Sequence, residues 1–299
     1  MEPMFSRRDF TKTLGLGVGA GLGRSVRAAG RRLKIGHTGI TWGFKPEDAA
    51  QAIPDVARLG YHGYESFGNV LEAWEPKGGL GQVLEANKLQ LISAYCNFNQ
   101  LDPAKRKDEL DKMVRWGKLI KKYGGSIAVM GPFGVKREGY SFPEYKTNIV
   151  AALNETAKAL ADIGITGVLH QHTGTCIETR DEVYAVMEAV DTRYVKFGPD
   201  VGQLQKGGSD PVKIVGDFVS LIEHVHLKDY NGGEYYVGYC PLGQGKVDVP
   251  KILDLLEKSK IKAMIMVELD PPVAPGTTPL ETAKISKAYL QKMGYTFGS

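Results

Sequence analysis

Cysteine is scarce in this sequence, and long apolar runs are missing from most of it. The 299 residues include three cysteines, Cys96, Cys176 and Cys240, an odd number without C-x-x-C spacing. This pattern argues against a disulfide framework. No stretch is long and apolar enough for a membrane span in the mature protein. Part of the net charge of +4 lies in the N-terminal region, so the remainder is close to neutral and a nucleic-acid-binding face is not expected.

The N-terminus has the order of segments that is typical of an export signal. Ser6-Arg7-Arg8-Asp9-Phe10-Thr11-Lys12 resembles the twin-arginine pattern S/T-R-R-x-F-x-K. A glycine-rich, weakly apolar run follows at 14–23, and small residues follow near Val26-Arg27-Ala28. We therefore predict a twin-arginine signal peptide at residues 1–29 and a periplasmic or extracellular protein. The alternative is a basic, disordered tail with a chance pair of arginines.

From residue 30 to residue 299 the chain alternates β-prone runs with amphipathic segments. The predicted strands are 33–40, 63–65, 89–95, 126–130, 167–170, 195–199, 222–227 and 263–269. The predicted helices are 46–59, 80–87, 103–123, 142–163, 180–190, 211–217, 249–258 and 279–293. This alternation predicts parallel βαβ units, and eight of them in one domain close naturally into a (β/α)8 TIM barrel. No G-x-G-x-x-G motif follows the first strand, so an open dinucleotide-binding sheet is less favoured.

Polar side chains stand where these strands end, which is where TIM barrels carry their chemistry. They are Glu65, Asn97, His170, His172, Asp200, His226, Lys228, Asp229 and Glu268. Taken singly, each has an ordinary explanation, such as a hydrogen-bonded histidine or an aspartate in a turn. However, the fifth to eighth strands each end in a potential ligand, which predicts one divalent metal. Two imidazoles and two carboxylates suit Mn²⁺, Co²⁺, Zn²⁺ or Fe²⁺, and Mg²⁺ is a further candidate.

Two other pairs of residues have alternative interpretations. Lys228 and Asp229 form either a surface ion pair at the start of a loop or part of the active site, where a lysine stabilises an oxyanion or acts as a base. Trp42 and Phe44 follow the first strand. They form either an apolar wall for sugar rings or a packed cap on the barrel.

At these residues the sequence resembles the sugar phosphate isomerase/epimerase family, the xylose-isomerase-like barrels. The resemblance spans nearly the whole chain after the predicted signal. Its markers are Leu59-Gly60-Tyr61-His62-Gly63-Tyr64-Glu65, His170-Gln171-His172-Thr173-Gly174-Thr175, Asp200-Val201-Gly202-Gln203, His224-Val225-His226-Leu227-Lys228-Asp229, Gly243-Gln244-Gly245-Lys246-Val247-Asp248 and Val267-Glu268. None is specific alone, but their order and spacing together are strong.

The resemblance implies that the metal ligands are His170, Asp200, His226 and Glu268. Epimerases of the family usually have a glutamate at the position of His170, and their two metal-bound glutamates act on the two faces of the substrate carbon. The H-x-H-x-G-T form is instead similar to the inosose dehydratase branch. Gln203 is a second departure, because many relatives have histidine there. From the chemistry of the site, the acid–base candidates are His172, Lys228, Glu268 and Glu65, with His172 or Lys228 favoured. The candidate substrate-binding residues are Trp42, Asn97, Gln203 and Asp229.

The predicted function is a metal-dependent carbon–oxygen lyase, which removes a proton next to a carbonyl of a keto-sugar, keto-glycoside or keto-cyclitol. A metal-dependent isomerase or epimerase is the nearest alternative, and a non-catalytic periplasmic sugar-binding barrel is another. A DNA endonuclease is disfavoured by the near-neutral charge and by only six histidines. The expected partners are a carbohydrate substrate and an oxidoreductase that supplies the keto-sugar, with a homo-oligomer possible and no nucleic acid or membrane.

Overall fold

Eight short parallel strands form one sheet, in the order β6-β5-β4-β3-β2-β1-β10-β7. The structure is a computed structural model and describes residues 31–298, so the predicted export signal lies outside the described residues. The strands are β1 (Ile35–Thr38), β2 (Tyr64–Phe67), β3 (Leu91–Asn97), β4 (Ile127–Gly131), β5 (Thr166–Leu169), β6 (Val195–Phe197), β7 (Val225–Leu227) and β10 (Ile265–Val267). Each overlaps one of the eight strands predicted from the sequence.

The sheet closes into a barrel between β6 and β7. Isolated parallel bridges join Phe197 to Ile222 and Asp200 to His226 across this gap. Backbone hydrogen bonds from Glu223 N to the Phe197 carbonyl (3.1 Å) and from His226 N to the Pro199 carbonyl (2.9 Å) accompany them. The predicted TIM barrel is therefore confirmed.

Helices connect the strands on the outside of the barrel. They are α1 (Ala49–Arg58), α2 (Gly68–Trp74), α3 (Gly81–Ala86), α4 (Arg106–Lys122), α5 (Phe142–Asp162), α6 (Arg180–Met187), α7 (Val201–Lys206), α8 (Pro211–Phe218), α9 (Val249–Lys258) and α10 (Pro279–Lys292). The helices α2 and α7, of 7 and 6 residues, were not predicted from the sequence, because so few residues give only a weak helical period. Within the part of the chain that the structure describes, no helix has both the length and the apolarity to cross a membrane.

The helices pack on the barrel through one apolar face, as α9 illustrates. It buries Val249, Ile252, Leu253 and Leu256, the i, i+3, i+4, i+7 spacing that places side chains on one face of a helix. The Asp248 side chain accepts a hydrogen bond from Lys251 N (3.1 Å) and caps the helix. Full burial of each such side chain contributes about 1.5–3 kcal/mol, so this face holds the helix against the strands.

The loop after β7 is organised by one buried carboxylate. It contains a small antiparallel pair, β8 (Asp229–Tyr230) and β9 (Tyr239–Cys240). The Asp229 carboxylate accepts hydrogen bonds from the backbone N–H groups of Tyr230, Gly243, Gly245 and Val247, at 2.9–3.1 Å. A Cβ at Gly245 would lie 2.1 Å from Asp229 Oδ1, so glycine is required for this close approach. Asp229 therefore fixes the loop beside the barrel mouth.

Candidate active site

Four polar side chains converge at the C-terminal ends of β5, β6, β7 and β10. His170 and Asp200 follow β5 and β6, His226 lies within β7, and Glu268 follows β10. All four are buried. His170, Asp200 and His226 each offer one ligand atom, and these atoms lie within 4.8 Å of one another. Glu268 Oε2 lies 2.9 Å from His226 Nδ1, so the fourth predicted ligand lies directly beside one of the other three.

His170 has the protonation state that a metal ligand needs. Its Nδ1 lies 3.2 Å from the Gly198 carbonyl and donates a hydrogen bond to it. This tautomer, assigned from the hydrogen bond, leaves the lone pair of Nε2 free. Burial, reinforced by the neighbouring His226, holds the pKa of His170 well below its usual value. The ring is therefore neutral and its orientation is fixed by a backbone partner, as is typical of histidine ligands.

His226 lies between two carboxylates. Its Nε2 is 2.7 Å from Glu65 Oε1, and its Nδ1 is 2.9 Å from Glu268 Oε2. Burial lowers the pKa of His226, but the charges of Glu268 and Glu65 outweigh burial and raise it well above its usual value. Neither ring nitrogen is aligned for a hydrogen bond, and Asp200 Oδ2 also has none. A cation would satisfy these buried atoms, and their nitrogen and oxygen chemistry fits a divalent transition metal.

Glu65 lies deeper in the barrel and supports the group from below. It accepts hydrogen bonds from Ser93 Oγ (2.6 Å) and His224 Nε2 (2.7 Å). Burial raises the pKa of Glu65, but His226 and His224 together bring it well below its usual value. Glu65, His224 and His226 could also be grouped around an ion. However, their 2.7 Å contacts have hydrogen-bond length, shorter than the roughly 3 Å that separates ligands around one cation. We therefore assign Glu65 to the support of His226 through a close charged contact, and not to the metal.

Lys228 is completely buried in a network of three carboxylates. Its Nζ lies 2.6 Å from Glu268 Oε1, 3.0 Å from Asp270 Oδ2 and 3.1 Å from Asp200 Oδ2. Burial lowers the pKa of Lys228, but these carboxylates raise it well above its usual value. A Cβ at Gly202 would lie 2.7 Å from the Lys228 side chain, so the D-x-G sequence makes room for it. The alternative of a surface ion pair between Lys228 and Asp229 is wrong, because both are buried and each has other partners.

His172, Thr173 and Gln203 form a hydrogen-bonded triad at the mouth. Gln203 Oε1 accepts from Thr173 Oγ1 (2.7 Å), so its amide group points to His172 Nε2 at 2.7 Å. His172 Nδ1 lies 2.8 Å from the Thr173 carbonyl and donates to it. In this arrangement His172 is neutral, with its acceptor nitrogen, Nε2, held by Gln203. Gln203, which stands where many relatives have histidine, thus selects one tautomer of His172.

Two cavities meet at this triad. The inner chamber, about 120 Å³, is lined by Glu65, Tyr95, His170, His172 and Glu268 among others. The outer chamber, about 490 Å³, is lined by Ile40, Phe44, His172, Gln203, Val237 and Asp270 among others. Ile40 and His172 belong to both linings. The buried cluster is therefore reached from outside through a larger cavity.

Three residues predicted to bind substrate lie elsewhere. Trp42 donates its indole N–H to Asp55 Oδ2 (2.9 Å) and lines a separate surface cavity beside Arg58. Asp229 is engaged by the four backbone amides of its loop. Asn97 is exposed at the end of β3 and is absent from the linings of both chambers. Of the four residues predicted to bind substrate, only Gln203 lines the outer chamber. Phe44 lines it in place of Trp42, because the turn after β1 directs Phe44 to the mouth.

His224 and Asp270 join the site although neither was among the residues predicted for it. His224 hydrogen-bonds Glu65, and Asp270 contacts Lys228 and lines the outer chamber. Both lie two residues from a predicted ligand, His226 or Glu268. The H-x-H spacing carried a signal for His224, because alternate residues of an extended chain face the same side. Asp270 lies beyond the end of β10, and no strand pattern pointed to it.

Comparison with known proteins places this architecture among sugar-processing enzymes. A family profile described as xylose isomerase-like TIM barrel matches residues 53–293. An inosose dehydratase from Clostridium botulinum is 28% identical, with 87% of this chain and 97% of the relative covered. An inosose dehydratase from Geobacillus kaustophilus is 25% identical, covering 81% of this chain and 86% of the relative.

A solved structure shows the same fold. The crystal structure of 3-keto-D-glucoside 4-epimerase from E. coli superimposes with a TM-score of 0.70 at 16% identity, covering 87% of this chain and 100% of the other. At this level of identity, the likeness shows the fold alone.

Proposed function

The chain belongs to the xylose isomerase-like TIM barrel family, and from this membership we propose that it is a divalent-metal-dependent carbon–oxygen lyase acting on a keto-sugar, keto-glycoside or keto-cyclitol. That it is an enzyme of sugar chemistry is supported by its relatives, among which the inosose dehydratases are dehydratases by name. The proposal adds the reaction, the metal and the roles of individual residues.

The observation that carries the proposal is the asymmetry of the site. His170, Asp200 and His226 can hold one cation, and Glu268, which lies beside His226, lines the inner chamber together with His172 and Glu65. Glu65 is engaged by Ser93, His224 and His226. A two-base epimerase needs an acid–base group on each face of the substrate carbon. In the inner chamber, His172 is the one imidazole or carboxylate that is neither a proposed metal ligand nor a partner of one. A reaction served by a single base fits this arrangement better.

A divalent cation at this position would polarise a substrate carbonyl and so make the neighbouring C–H bond acidic. His172 is then the base, and it acts through Nε2 once the Gln203 amide releases the lone pair of that nitrogen to the substrate. It takes the α-proton while the electron pair moves toward the carbonyl oxygen. When that pair returns, the bond to the β-oxygen breaks and the imidazolium gives its proton to the departing oxygen. Water or an alcohol leaves, and an unsaturated ketone remains.

Lys228 has a positioning role in this proposal. Its high pKa keeps it protonated, and its three carboxylate partners include Asp200 and Glu268. It therefore fixes the orientation of two ligand side chains and offsets their mutual repulsion. Glu268, whose pKa is held well below its usual value against burial by His226 and Lys228, remains a carboxylate suited to metal binding.

The test is proton NMR in deuterium oxide, with residues 30–299, a panel of keto-sugars and inososes, and samples with and without chelator. We expect chelator-sensitive loss of the α-proton and appearance of an alkene signal. Incorporation of deuterium at carbon without an alkene would replace this proposal by isomerisation or epimerisation. Saturable binding without turnover or α-proton exchange, in protein shown to contain metal, would favour a sugar-binding barrel.

Export by the twin-arginine route is part of the proposal, because that route carries folded, cofactor-loaded proteins. Its test is fractionation of cells that produce the full chain, with Arg7→Lys and Arg8→Lys together as the control. A protein that stays in the cytoplasm with both arginines intact would contradict it. A keto-substrate also requires an oxidoreductase that converts a sugar alcohol group to a ketone upstream.

A further inference from the structure

The outer chamber contains the most exposed large apolar side chains of the described residues. Among the described residues, five large hydrophobic side chains are exposed: Phe44, Phe133, Tyr235, Val237 and Ile285. The two most exposed, Phe44 (59%) and Val237 (55%), both line the outer chamber. Exposed apolar surface gathered in one cavity is typical of a binding site, whereas single exposed residues need no explanation.

Val237 is held in this wall by a strained backbone. Its φ of 59° and ψ of 28° lie in the left-handed region, which a β-branched residue rarely adopts. Tyr236 before it also has a positive φ, of 54°. Lys206 Nζ donates to the Val237 carbonyl at 2.9 Å, and the Gly238 carbonyl accepts from Asn231 N and Gly232 N. Strain of this kind is found mainly at functional sites. Here the strained backbone conformation places the isopropyl group of Val237 in the wall of the outer chamber.

The two chambers differ in size and chemistry. The inner chamber holds the ionisable cluster in about 120 Å³. The outer chamber, about 490 Å³, by itself falls within the roughly 300–1,000 Å³ of pockets for drug-sized ligands. Its polar residues, among them Gln203 and Asp270, accompany apolar walls that include Ile40, Phe44, Val237 and Pro271. A substrate that fills both chambers has a polar end and an apolar end.

We infer that the substrate is a glycoside, with its keto-sugar ring at the His172 end and an apolar, ring-bearing aglycone in the outer chamber between Phe44 and Val237. This inference rests on the proposed function, and it selects the glycoside from the three substrate classes named there. A free monosaccharide or cyclitol would leave these apolar walls in water. A second sugar ring would place hydroxyl groups against Phe44 and Val237, whose side chains form no hydrogen bonds.

The test measures binding without turnover. Phenyl β-D-glucopyranoside, methyl β-D-glucopyranoside and cellobiose contain no ketone, so they report affinity alone when titrated into the metal-loaded protein by calorimetry or ligand-observed NMR. We expect the phenyl glucoside to bind about tenfold or more tightly than the other two, the order of magnitude expected when one aromatic ring is buried.

Two variants locate this preference. Phe44→Ala should reduce it to threefold or less, and Val237→Gly should reduce it while relieving backbone strain, because glycine accepts a positive φ. Phe133→Ala is the matched control, since Phe133 is also exposed (40%) and is absent from the chamber lining. It should retain the wild-type preference.

Equal affinity for the phenyl and methyl glucosides would overturn the inference, and so would undetectable binding of the phenyl glucoside or equal affinity for cellobiose. An equal loss of preference in Phe133→Ala would overturn it as well. The two proposals fail separately. Conversion of keto-sugars without a preference for the phenyl group contradicts only this inference, and a preference without any conversion contradicts only the proposed reaction.

Discussion

Two buried histidines of this barrel, His226 and His37, have opposite properties although each is 1% exposed. His226 lies between the carboxylates of Glu65 and Glu268, which raise its pKa well above the usual value against the effect of burial. His37, on β1, has the rings of Trp42 and Tyr61 at 5.3 and 4.9 Å. Burial there lowers its pKa to about 4.

The difference shows what makes a buried polar residue a candidate for chemistry. Both rings have lost their water, but only His226 has gained neighbours with charge and ligand capacity. His37 donates from Nδ1 to the Thr38 carbonyl (2.8 Å) and is packed between aromatic rings, so it is neutral and structural. Burial makes the charged form of a histidine less favourable, and the neighbouring side chains decide whether this free-energy cost is offset.

The largest expected effect comes from removing a ligand. His226→Ala and Asp200→Ala should each lose bound metal and reduce turnover by about 10³-fold or more, because a ligand and its charge are removed from a buried site. Metal content after dialysis, measured by mass spectrometry, and NMR rates check this. His62→Ala, at a half-buried histidine that stacks on Phe297, is the control. Stoichiometric metal in both ligand variants would refute the assignment.

The next largest effect is expected from removing the buried ammonium group of Lys228. Lys228→Met leaves Asp200, Glu268 and Asp270 without their shared ammonium group, and breaking a buried ion pair in this way costs about 3–5 kcal/mol. Denaturant titration of the metal-free protein measures it. Lys158→Met, at an exposed pair with Asp162, should change little. A Lys228→Met protein as stable as the wild type would show that the three carboxylates do not depend on this lysine.

A smaller effect is expected at the support of His226. Glu65→Gln keeps the shape of the side chain but removes one of the two charges beside the ring, and loss of such a partner weakens metal binding by about 10–100-fold. Competition with a fluorescent chelator measures the affinity. Glu109→Gln, at the distant pair with Lys112, should leave it unchanged. Unaltered affinity in Glu65→Gln would mean that His226 is oriented without Glu65.

At neutral pH the smallest effect belongs to His37. Its pKa falls from 6.5 when unfolded to about 4 when folded, so the unfolded chain binds the proton first as pH falls. The stability present above pH 6.5 is therefore lost toward pH 4, by up to about 3 kcal/mol. His37→Asn should lose less over this interval. Unfolding midpoints at pH 7, 6, 5 and 4 for both proteins provide the comparison, and parallel curves would contradict the prediction.

Much of the fold could be predicted from the sequence because its signals are local. The apolar runs of β4 and β5 and the i, i+3, i+4 pattern of α9 each lie within a short window of residues. The helices α2 and α7 were not predicted, because their few residues give only a weak helical period. Asp200 was assigned a turn or a ligand role, and it also caps α7, with its Oδ1 accepting from Gly202 N and Gln203 N.

Local pattern and family resemblance together predicted which strand ends carry polar residues, and His170, Asp200, His226 and Glu268 do lie together. Which side chains contact each other could not be predicted, because the contacts join distant parts of the chain. His224 meets Glu65 across 159 positions, and Lys228 meets Asp270 across 42. Trp42 and Phe44 are two positions apart, and only the turn between them decides which side chain faces the mouth.

The sequence by itself determined the order of strands and helices, the barrel and the residue types at its mouth, since periodicity and strand ends depend on neighbouring residues. The tertiary structure alone decided that Lys228 is buried and charged, that Glu65 supports His226, and that Phe44 and Val237 share one cavity. These properties depend on distances between side chains from different strands and on the water that their packing excludes, and barrel closure sets both.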